Sequence, residues 1–359
     1  MIENCKQFVF DLDAVEAELQ ALGSSTVQFS RPLGDELQVV SPSDEAPGPL
    51  VDRNTYLQRL RKMCEQWGDR LTVRFYSYFD QVFDAEVLLE FPEIRSLMIN
   101  NMHGEVKNLE LIGNMPNIRN LHLGIYELDD KRLLEKLPIE NLVELTIEES
   151  KTKALDLAPL ADARALRTLR LFGHKKNIEA IGALSNLNAF VFNPSSNKPL
   201  HFLNGLASLR SLKFVLGGAE SLAGLNVLPA LEEIAFTMVR GLVDIGDLQR
   251  FPSLRRGLMQ DQPQIETVRM GAKNTALQHL WFYNCPKLAN LEGIGELPVL
   301  ESLRIVISAI KLDKMVLPKS LTHLGLYSTE VKKEADERAA IEALGLLPSD
   351  HPDMPFFYK

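Results

Sequence analysis

The sequence predicts an α/β solenoid, a curved array of about twelve short parallel strands with a cap at each end. Three observations favour this fold class. Leucine accounts for 59 of the 359 residues. An apolar pattern of the form L-x-x-L-x-L, in which L stands for any apolar residue, recurs along most of the chain. Successive copies lie 21 to 24 residues apart, which is a period typical of repeat solenoids.

The pattern has ten clear copies and a weaker first copy at Val73. The central apolar residues of the clear copies are Leu97, Leu121, Leu145, Leu169, Phe190, Leu212, Ile234, Leu280, Leu303 and Leu324. The interval between Ile234 and Leu280 is two repeats long, so we expect a degenerate strand at Gly257. A competing register at Val268 would leave only 12 residues before the next strand, which is too short for a repeat.

Each L-x-L segment is expected to form a short strand with two inward apolar side chains and one outward residue between them. A single repeat cannot bury its apolar face alone, so its stability depends on the neighbouring repeats. We therefore expect an N-terminal capping region at residues 1–68, a solenoid at 69–329, and a C-terminal helical cap and tail at 330–359.

The two ends of the chain do not follow the repeat. The N-terminal region predicts a helix over residues 13–22, strands at TVQFS and ELQVVS, and an amphipathic helix over residues 52–67. The C-terminal region predicts a helix that stops at Gly345. The tail contains Phe356, Phe357 and Tyr358, and one alternative is that it folds back on the last repeat.

These repeats resemble those of the leucine-rich repeat family, over about residues 70 to 330, with the spacing of bacterial, internalin-like proteins. The family often places Asn after the strand, where its side chain bonds the turn backbones. This chain lacks that Asn ladder, so we expect irregular turns and uneven curvature. The matching positions hold Met102, Tyr126, Ser150, His174, Ser195, Gly217, Val239, Gln262, Cys285, Ser308 and Thr329.

Charge and cysteine usage narrow the classes of partner. The chain carries 39 Lys and Arg against 48 Asp and Glu, a net charge of −9, so we expect neither nucleic acid nor anionic membrane as a partner. No apolar run is long enough to span a bilayer. Cys5, Cys64 and Cys285 lie far apart, which favours a reducing, cytoplasmic environment without metal or cofactor.

One segment has an enzymatic alternative. FVFDLDAV, residues 8–15, resembles the first motif of haloacid-dehalogenase-type phosphatases, which implies Asp11 as nucleophile and Asp13 as acid/base. The favoured interpretation is a strand that leads into a helix N-cap. No other catalytic motif follows, so we predict no enzymatic activity and no catalytic residues.

Outward residues of the strands supply the candidate partner site, because large aromatic and Arg side chains dominate protein interfaces. One group contains Trp281, Tyr283, Arg304 and Tyr327, with His279 and His323; the others are Arg170 with Phe172, and Arg74 with Tyr76 and Tyr78. Strand propensity or the aromatic tail is the alternative explanation for the first group. An acidic patch of Glu144, Glu148, Glu149, Asp129 and Asp130 is either a solvated cluster or a dock for a basic partner.

The sequence thus favours a non-enzymatic scaffold that binds another protein on its concave strand face. Small stand-alone bacterial leucine-rich repeat proteins resemble immunity proteins, and this resemblance implies a toxin domain as the partner. Two alternatives stay open: a secreted effector that engages a host protein, and a phosphatase-like enzyme that uses Asp11 and Asp13.

Overall fold

A computed structural model describes residues 7–29, 36–40, 48–76, 82–194, 199–327 and 331–348. The chain forms two compact units, Met1–Leu184 and Ser185–Lys359. The predicted fold class is confirmed. In each unit, short parallel strands, one per repeat, build a ladder, and the chain returns from one strand to the next mostly through short 3-10 helices.

The first unit begins with two α-helices and four strands. Helix α1 is capped at its start by the Asp11 carboxylate and ends at Gly23, whose φ of 85° is left-handed. Strand β1 pairs parallel with β3, and β3 pairs antiparallel with β4. The elements are β1 Gln7–Phe10, α1 Leu12–Leu22, β2 Ser25–Phe29, β3 Glu36–Val40, β4 Leu50–Asp52 and α2 Arg53–Trp67.

Strand β2 opens the parallel ladder of the first unit. It pairs with β5 in the register Val27 to Val73, and that register continues to Leu97. The sequence predicted this strand at TVQFS but assigned it to the capping region and not to the ladder, because it is not part of an L-x-x-L-x-L copy. The strands that follow are β5 Leu71–Tyr76, β6 Phe83–Asp84, β7 Ser96–Met102, β8 Val106–Lys107, β9 Asn120–Ile125, β10 Glu144–Ile147 and β11 Thr168–Leu171.

The ladder of the second unit contains β12, β13, β14, β15, β17, β19, β20 and β21. The predicted C-terminal helix is confirmed as α3, Val331–Ala343, and Gly345 follows it with a φ of 73°. The strands are β12 Ala189–Phe192, β13 Ser211–Val215, β14 Glu233–Thr237, β15 Arg256–Gln260, β16 Thr267–Arg269, β17 His279–Cys285, β18 Asn290–Glu292, β19 Ser302–Ser308, β20 His323–Tyr327 and β21 Leu347–Pro348.

Short 3-10 helices form most of the return path of the repeats. All but the first and the last present one or two apolar residues to the interior, such as Ile112 and Leu160, which are fully buried. They span Gly68–Arg70, Ala85–Glu90, Leu109–Asn114, Leu133–Lys136, Ile139–Asn141, Ala158–Asp162, Ile178–Ala183, His201–Gly205, Leu248–Arg250, Ile294–Glu296 and Leu312–Lys314.

The inward positions of the strands form the core, as the apolar spacing predicts. Leu169 and Leu171 are buried, and the same pair of positions is buried in every neighbouring repeat of the first unit. In the second unit the second inward position holds a run of phenylalanines. The Phe214 and Phe236 rings stack with centroids 4.9 Å apart, and Phe192 lies 5.2 Å from Phe214.

The degenerate repeat lies where the sequence placed it. Gly257 pairs with Ile234 on one side and with Leu280 on the other, so the register at Val268 is excluded from this ladder. A β-carbon on Gly257 would meet the Leu280 Cδ2 atom at 2.9 Å. The Leu280 side chain therefore occupies the space next to the missing side chain, and the core continues through the repeat.

The expectation of irregular turns is wrong for the second unit. Its turns share one conformation, because in five consecutive repeats the same position has a left-handed backbone. In three of these repeats the backbone N–H of that residue donates to a carbonyl near the end of the next strand, as from Leu216 to Thr237 at 2.8 Å. These backbone hydrogen bonds connect the turns of neighbouring repeats, as Asn side chains do in the family pattern. The left-handed residues are Leu216, Met238, Asp261, Asn284 and Ile307.

We expect Leu169→Ala to lower the free energy of unfolding by about 2–5 kcal/mol, because it removes buried apolar area and leaves a cavity. Thr168→Ala, one residue away on the outward face, is the control and should cost less than about 0.5 kcal/mol. Urea unfolding of both variants measures the difference. Similar losses for the two would show that the strand phase is wrong.

Ile307 offers a second stability test. Its φ is 56° and its side chain is 39% exposed, so a β-branched residue adopts the left-handed conformation with little burial in return. Ile307→Asn should raise the free energy of unfolding by about 1 kcal/mol, because Asn tolerates this conformation better. The reciprocal change one repeat earlier, Asn284→Ile, should lower it. A loss of stability in Ile307→Asn would contradict the assigned strain.

Candidate functional site

The strand register places the outward residues of each unit in straight columns. Strand neighbours lie about 4.8 Å apart, so adjacent members of a column touch one another. The middle column of the first unit is Arg74, Met98, His122, Thr146 and Arg170. The middle column of the second unit is Val191, Lys213, Ala235, Leu258, Trp281, Arg304 and Gly325.

Arg74 is fixed by three neighbours on the outward face of the first unit. Its Nε donates to the Asn100 Oδ1 at 2.8 Å, and its NH1 donates to the Gln28 Oε1 at 3.1 Å. Its guanidinium lies 4.8 Å from the centre of the Tyr76 ring. The Arg74 side chain is half-buried, and these contacts hold it in one orientation. Its guanidinium group is therefore a charged hydrogen-bond donor that a partner could reach from solvent. The sequence predicted Arg74 and Tyr76 here, whereas Tyr78 lies outside the described residues.

Most carboxylates of the predicted acidic patch have side-chain partners within hydrogen-bonding distance. The Glu148 carboxylate lies 2.6 Å from the His122 Nε2, and the neighbouring Glu149 pairs with Lys153. Glu148 reaches across β9 because the strand has a glycine beneath it: a β-carbon on Gly124 would lie 2.6 Å from the Glu148 Oε2. Asp130 likewise accepts from the Lys136 Nζ at 2.7 Å. Two carboxylates of the patch, Glu149 and Asp130, are therefore paired with lysines, whereas Glu148 is oriented by His122 and Glu144 is exposed.

The predicted pair Arg170 and Phe172 lies at the last strand of the first unit: Arg170 is on β11, and Phe172 follows it. Arg170 lies opposite Thr146 in the ladder, and both Arg170 and Phe172 are half-buried. The structure therefore brings the predicted Arg74, Glu148 and Arg170 groups onto one face of one ladder. The sequence did not select Gln28, Asn100 or His122, because their role depends on which side chains lie opposite them.

In the second unit, the Arg304 guanidinium lies between two tyrosine rings. Its Cζ is 5.5 Å from the centre of the Tyr283 ring and 5.1 Å from that of Tyr327, on the neighbouring strands. All three side chains are half-buried, as are His279 and His323. The predicted proximity of these residues is confirmed, since the register aligns them on β17, β19 and β20.

Trp281 lies on the predicted outward side of its strand, but its ring is not open to solvent. Trp281 is only 6% exposed and belongs to a buried cluster with Ala235 and Leu258, on the outward side of the strands. Its ring stacks on His279 with centroids 5.7 Å apart, and Tyr283 packs against the cluster. Truncation of Trp281 would therefore remove internal packing, and a partner could reach its ring only after a rearrangement.

His174 lies in the turn after β11, at a position where the leucine-rich repeat pattern often has Asn. Its side chain is 2% exposed. The Nδ1 accepts from the Leu155 N–H at 3.3 Å, and the Nε2 donates to the Glu148 carbonyl at 3.2 Å. Burial lowers the pKa of the His174 imidazole below its ordinary value, because the charged form would lose its hydration. The neutral imidazole thus links the turns of two neighbouring repeats.

The other residues that the sequence analysis considered for chemistry are two aspartates and the cysteines. The Asp11 carboxylate caps α1 through the Asp13 N–H, and the Asp13 carboxylate pairs with Arg59. Cys64 and Cys285 are buried and unpaired, and burial raises the pKa of the Cys285 thiol to about 11. Among the described residues, no group of three or more His, Cys, Asp or Glu side chains is placed to hold a metal ion.

Comparisons with solved structures show the fold. An internalin from Listeria monocytogenes is 15% identical, with a TM-score of 0.44; the match covers 78% of this chain and 93% of the internalin. Toll, in its Drosophila complex with Spatzle, is 14% identical, with a TM-score of 0.50; the match covers 90% of this chain but 46% of Toll. A leucine-rich repeat protein of Leptospira interrogans is 15% identical, with a TM-score of 0.39, and the match covers 80% of this chain and 86% of that one.

Sequence comparisons add no closer relationship, since no family model and no curated protein match the chain. The repeats, the parallel ladders and the similarity to Toll together show that the chain has a leucine-rich repeat fold. In the part of the chain that the structure describes, no helix has both the length and the apolar character needed to cross a membrane.

The pKa of His174 predicts a pH dependence of stability. A folded-state pKa below the unfolded value of about 6.5 means that the unfolded chain binds the proton more readily, so acid favours unfolding. We expect the contribution of His174 to be complete above that pH and to be lost as the pH falls through the folded-state pKa. Chemical unfolding of wild type and His174→Gln at pH 8 and pH 5 measures it.

The variant should lose less stability than wild type between the two pH values. Gln is a suitable replacement because Gln262 is fully buried at the matching position of a later repeat. Equal losses for the two proteins would show that His174 does not couple protonation to folding.

Proposed function

We propose that the chain is a non-enzymatic scaffold that binds another protein on the outward face of its strands. The observation that carries this proposal is the fixed Arg74 side chain, which is held by Gln28, Asn100 and Tyr76 on a half-exposed strand face. An Arg that is already ordered loses little conformational entropy when a partner binds. Arg and Tyr are also the residue types that most often dominate the binding energy of interfaces.

The same face supplies charges of both signs. Arg74 and Arg170 offer guanidinium groups that suit carboxylates of a partner, and Glu144 and Glu148 suit its basic side chains. In the second unit, Arg304 between Tyr283 and Tyr327 has the same chemistry, with Trp281, His279 and His323 behind or beside it. We assign these residues and Phe172 to the partner-binding surface. Toll, which shares the fold, is solved in complex with the protein Spatzle, and this supports a protein as the partner.

The narrower proposal is a cytoplasmic immunity protein that neutralises a toxin domain. The net charge of −9 favours a basic partner, and the buried, unpaired Cys64 and Cys285 suit a reducing compartment. The alternative partner is a host protein engaged by a secreted effector. Asp11 and Asp13 give little support to the phosphatase alternative, because a helix cap and an ion pair already use both carboxylates.

The test compares two variants that each remove one cation. Arg74→Ala removes the fixed guanidinium, whereas Lys131→Ala removes an exposed charge from the loop after β9. Stoichiometric partners are first captured from the producing cell and identified, and the affinity of each variant is then titrated. Arg74→Ala should weaken binding by about 2 kcal/mol, roughly thirtyfold, and Lys131→Ala should leave it nearly unchanged.

The identity of the partner separates the narrower alternatives. A captured toxin whose activity is blocked by wild type but not by Arg74→Ala would support the immunity role. Capture from host-cell extract, with nothing stoichiometric from the producing cell, would support the effector. Equal affinity of Arg74→Ala and wild type would exclude the face around Arg74 as the binding surface.

A further inference from the structure

A small second sheet lies on the return path of the second unit, and its last strand has an open edge. Strand β16 pairs parallel with β18 in the register Val268 to Leu291. A bridge between Asp247 and Arg269 extends this sheet toward the preceding repeat. In the other direction, no described residue continues the sheet beyond β18. The sheet therefore ends at β18, although one more repeat follows.

The backbone groups of Leu291 point toward this open edge. The Asn290 N–H donates to the Glu266 carbonyl at 3.2 Å, and the Met270 N–H donates to the Glu292 carbonyl at 2.9 Å. Successive residues of a strand direct their N–H and C=O groups to opposite sides, so Leu291 directs both groups away from β16. No residue in the described part of the chain bonds them there. An edge with an unpaired donor and acceptor is a template for a further strand.

A cavity of about 660 Å³, a volume typical of ligand-binding pockets, lies along the edge. The following repeat touches the sheet before and after β18. The Ala309 N–H donates to the Leu288 carbonyl at 2.9 Å, and a β-carbon on Gly295 would lie 2.8 Å from the Val316 Cγ1 atom. Between these two contacts, the described chain makes no backbone hydrogen bond to β18. The contacts therefore limit an added strand to about three paired residues.

Apolar side chains line the cavity without being fully buried. Leu291 lies on one wall, and Ile310 and Met315 lie on the other; all three are half-buried. Val316, at one end of the cavity, is 75% exposed. An apolar side chain placed opposite Leu291 would remove part of this surface from water, which stabilises the bound state.

Charged side chains alternate across the strands of this sheet. The Asp244 carboxylate lies 3.2 Å from the Arg269 guanidinium, which in turn lies 3.4 Å from the Glu292 carboxylate on the next strand. The next position of this row lies beside Glu292, and opposite charges on neighbouring strands attract, so a basic side chain is favoured there. Lys311 and Lys314 on the far wall are exposed, and their long side chains can turn into solvent.

We infer that the open edge of β18 binds a short extended segment of a partner protein as a third parallel strand. The segment has the pattern polar, apolar, basic: its apolar residue lies opposite Leu291, and its basic residue lies beside Glu292. The carbonyl of the polar residue accepts from the Leu291 N–H, and the N–H of the basic residue donates to the Leu291 carbonyl. This contact lies on the return path, so it is additional to the outward strand face proposed above.

Strand β16 supplies a probe, because its Thr267, Val268 and Arg269 have this pattern and already pair with the other edge of β18. A fluorescein-labelled peptide of residues 264–271, QIETVRMG, is blocked at both termini and titrated into the full chain by fluorescence anisotropy. A second peptide carries Arg269→Glu. Wild type should bind the arginine peptide about fivefold more tightly than the glutamate peptide, because only arginine attracts Glu292.

A charge reversal in the protein tests the assigned register. Glu292→Lys should reverse the preference between the two peptides, and a reversed preference cannot result from misfolding. The matched control, Glu140→Lys, makes the same change of charge at an exposed position of the first unit and should keep the wild-type preference. Hydrogen exchange locates the bound peptide. The Leu291 amide should exchange more slowly with the arginine peptide present, whereas the Asn290 amide, which already donates to Glu266, should change little.

Three results would overturn the proposal. The first is the absence of saturable binding of the arginine peptide, and the second is unchanged exchange at Leu291 in its presence. The third is tighter binding of the glutamate peptide to wild type that is lost in Lys311→Ala with Lys314→Ala, because the far wall would then select an acidic segment. None of these results depends on Arg74 or on the outward face, so this proposal and the proposed function fail separately.

Discussion

Every repeat of this chain depends on its neighbours to satisfy both its backbone and its apolar side chains. A strand such as Thr168–Leu171 has no hydrogen-bond partner within its own repeat, and its two inward leucines have only one turn of chain beneath them. Parallel pairing supplies the missing bonds and the missing apolar surface in one step. This shared requirement fixes the register, and the register then decides which side chains stand together on the outward face.

The turns follow from the same constraint. Each strand must end at the same level as the strand before it, so the chain has to reverse direction at a fixed point in every repeat. In the second unit the solution is a left-handed residue whose N–H donates to a carbonyl of the next strand, even where the residue is Leu216 or Met238. A left-handed conformation costs about 1–2 kcal/mol for such residues. The ladder hydrogen bonds on both sides offset that cost.

The inward-facing residues of the strands could be predicted from the sequence, but much of the arrangement of the outward-facing residues could not. Apolar alternation sets the strand phase, which is why even Gly257 was placed correctly between Ile234 and Leu280. Strand β2 was predicted as a strand of the cap, but its place in the ladder was missed because its apolar residues come without a repeat around them. The burial of Trp281 was missed because the exposure of an outward residue depends on what covers it, and the L-x-L pattern carries no information on that. The Gln28–Arg74–Asn100 contacts depend on residues up to 72 positions apart.

The outward faces of the two units are stabilised in two different ways. In the first unit, polar side chains fix one another: Arg74 is held by two amides, and Glu148 by His122 across the gap left by Gly124. Such a face stays in contact with water and needs little reorganisation on binding. In the second unit, Leu258 and Trp281 pack with Ala235 into a buried apolar cluster, and Tyr283 packs against it. Apolar contacts between neighbouring strands thus order this face, whereas hydrogen bonds between polar side chains order the face of the first unit.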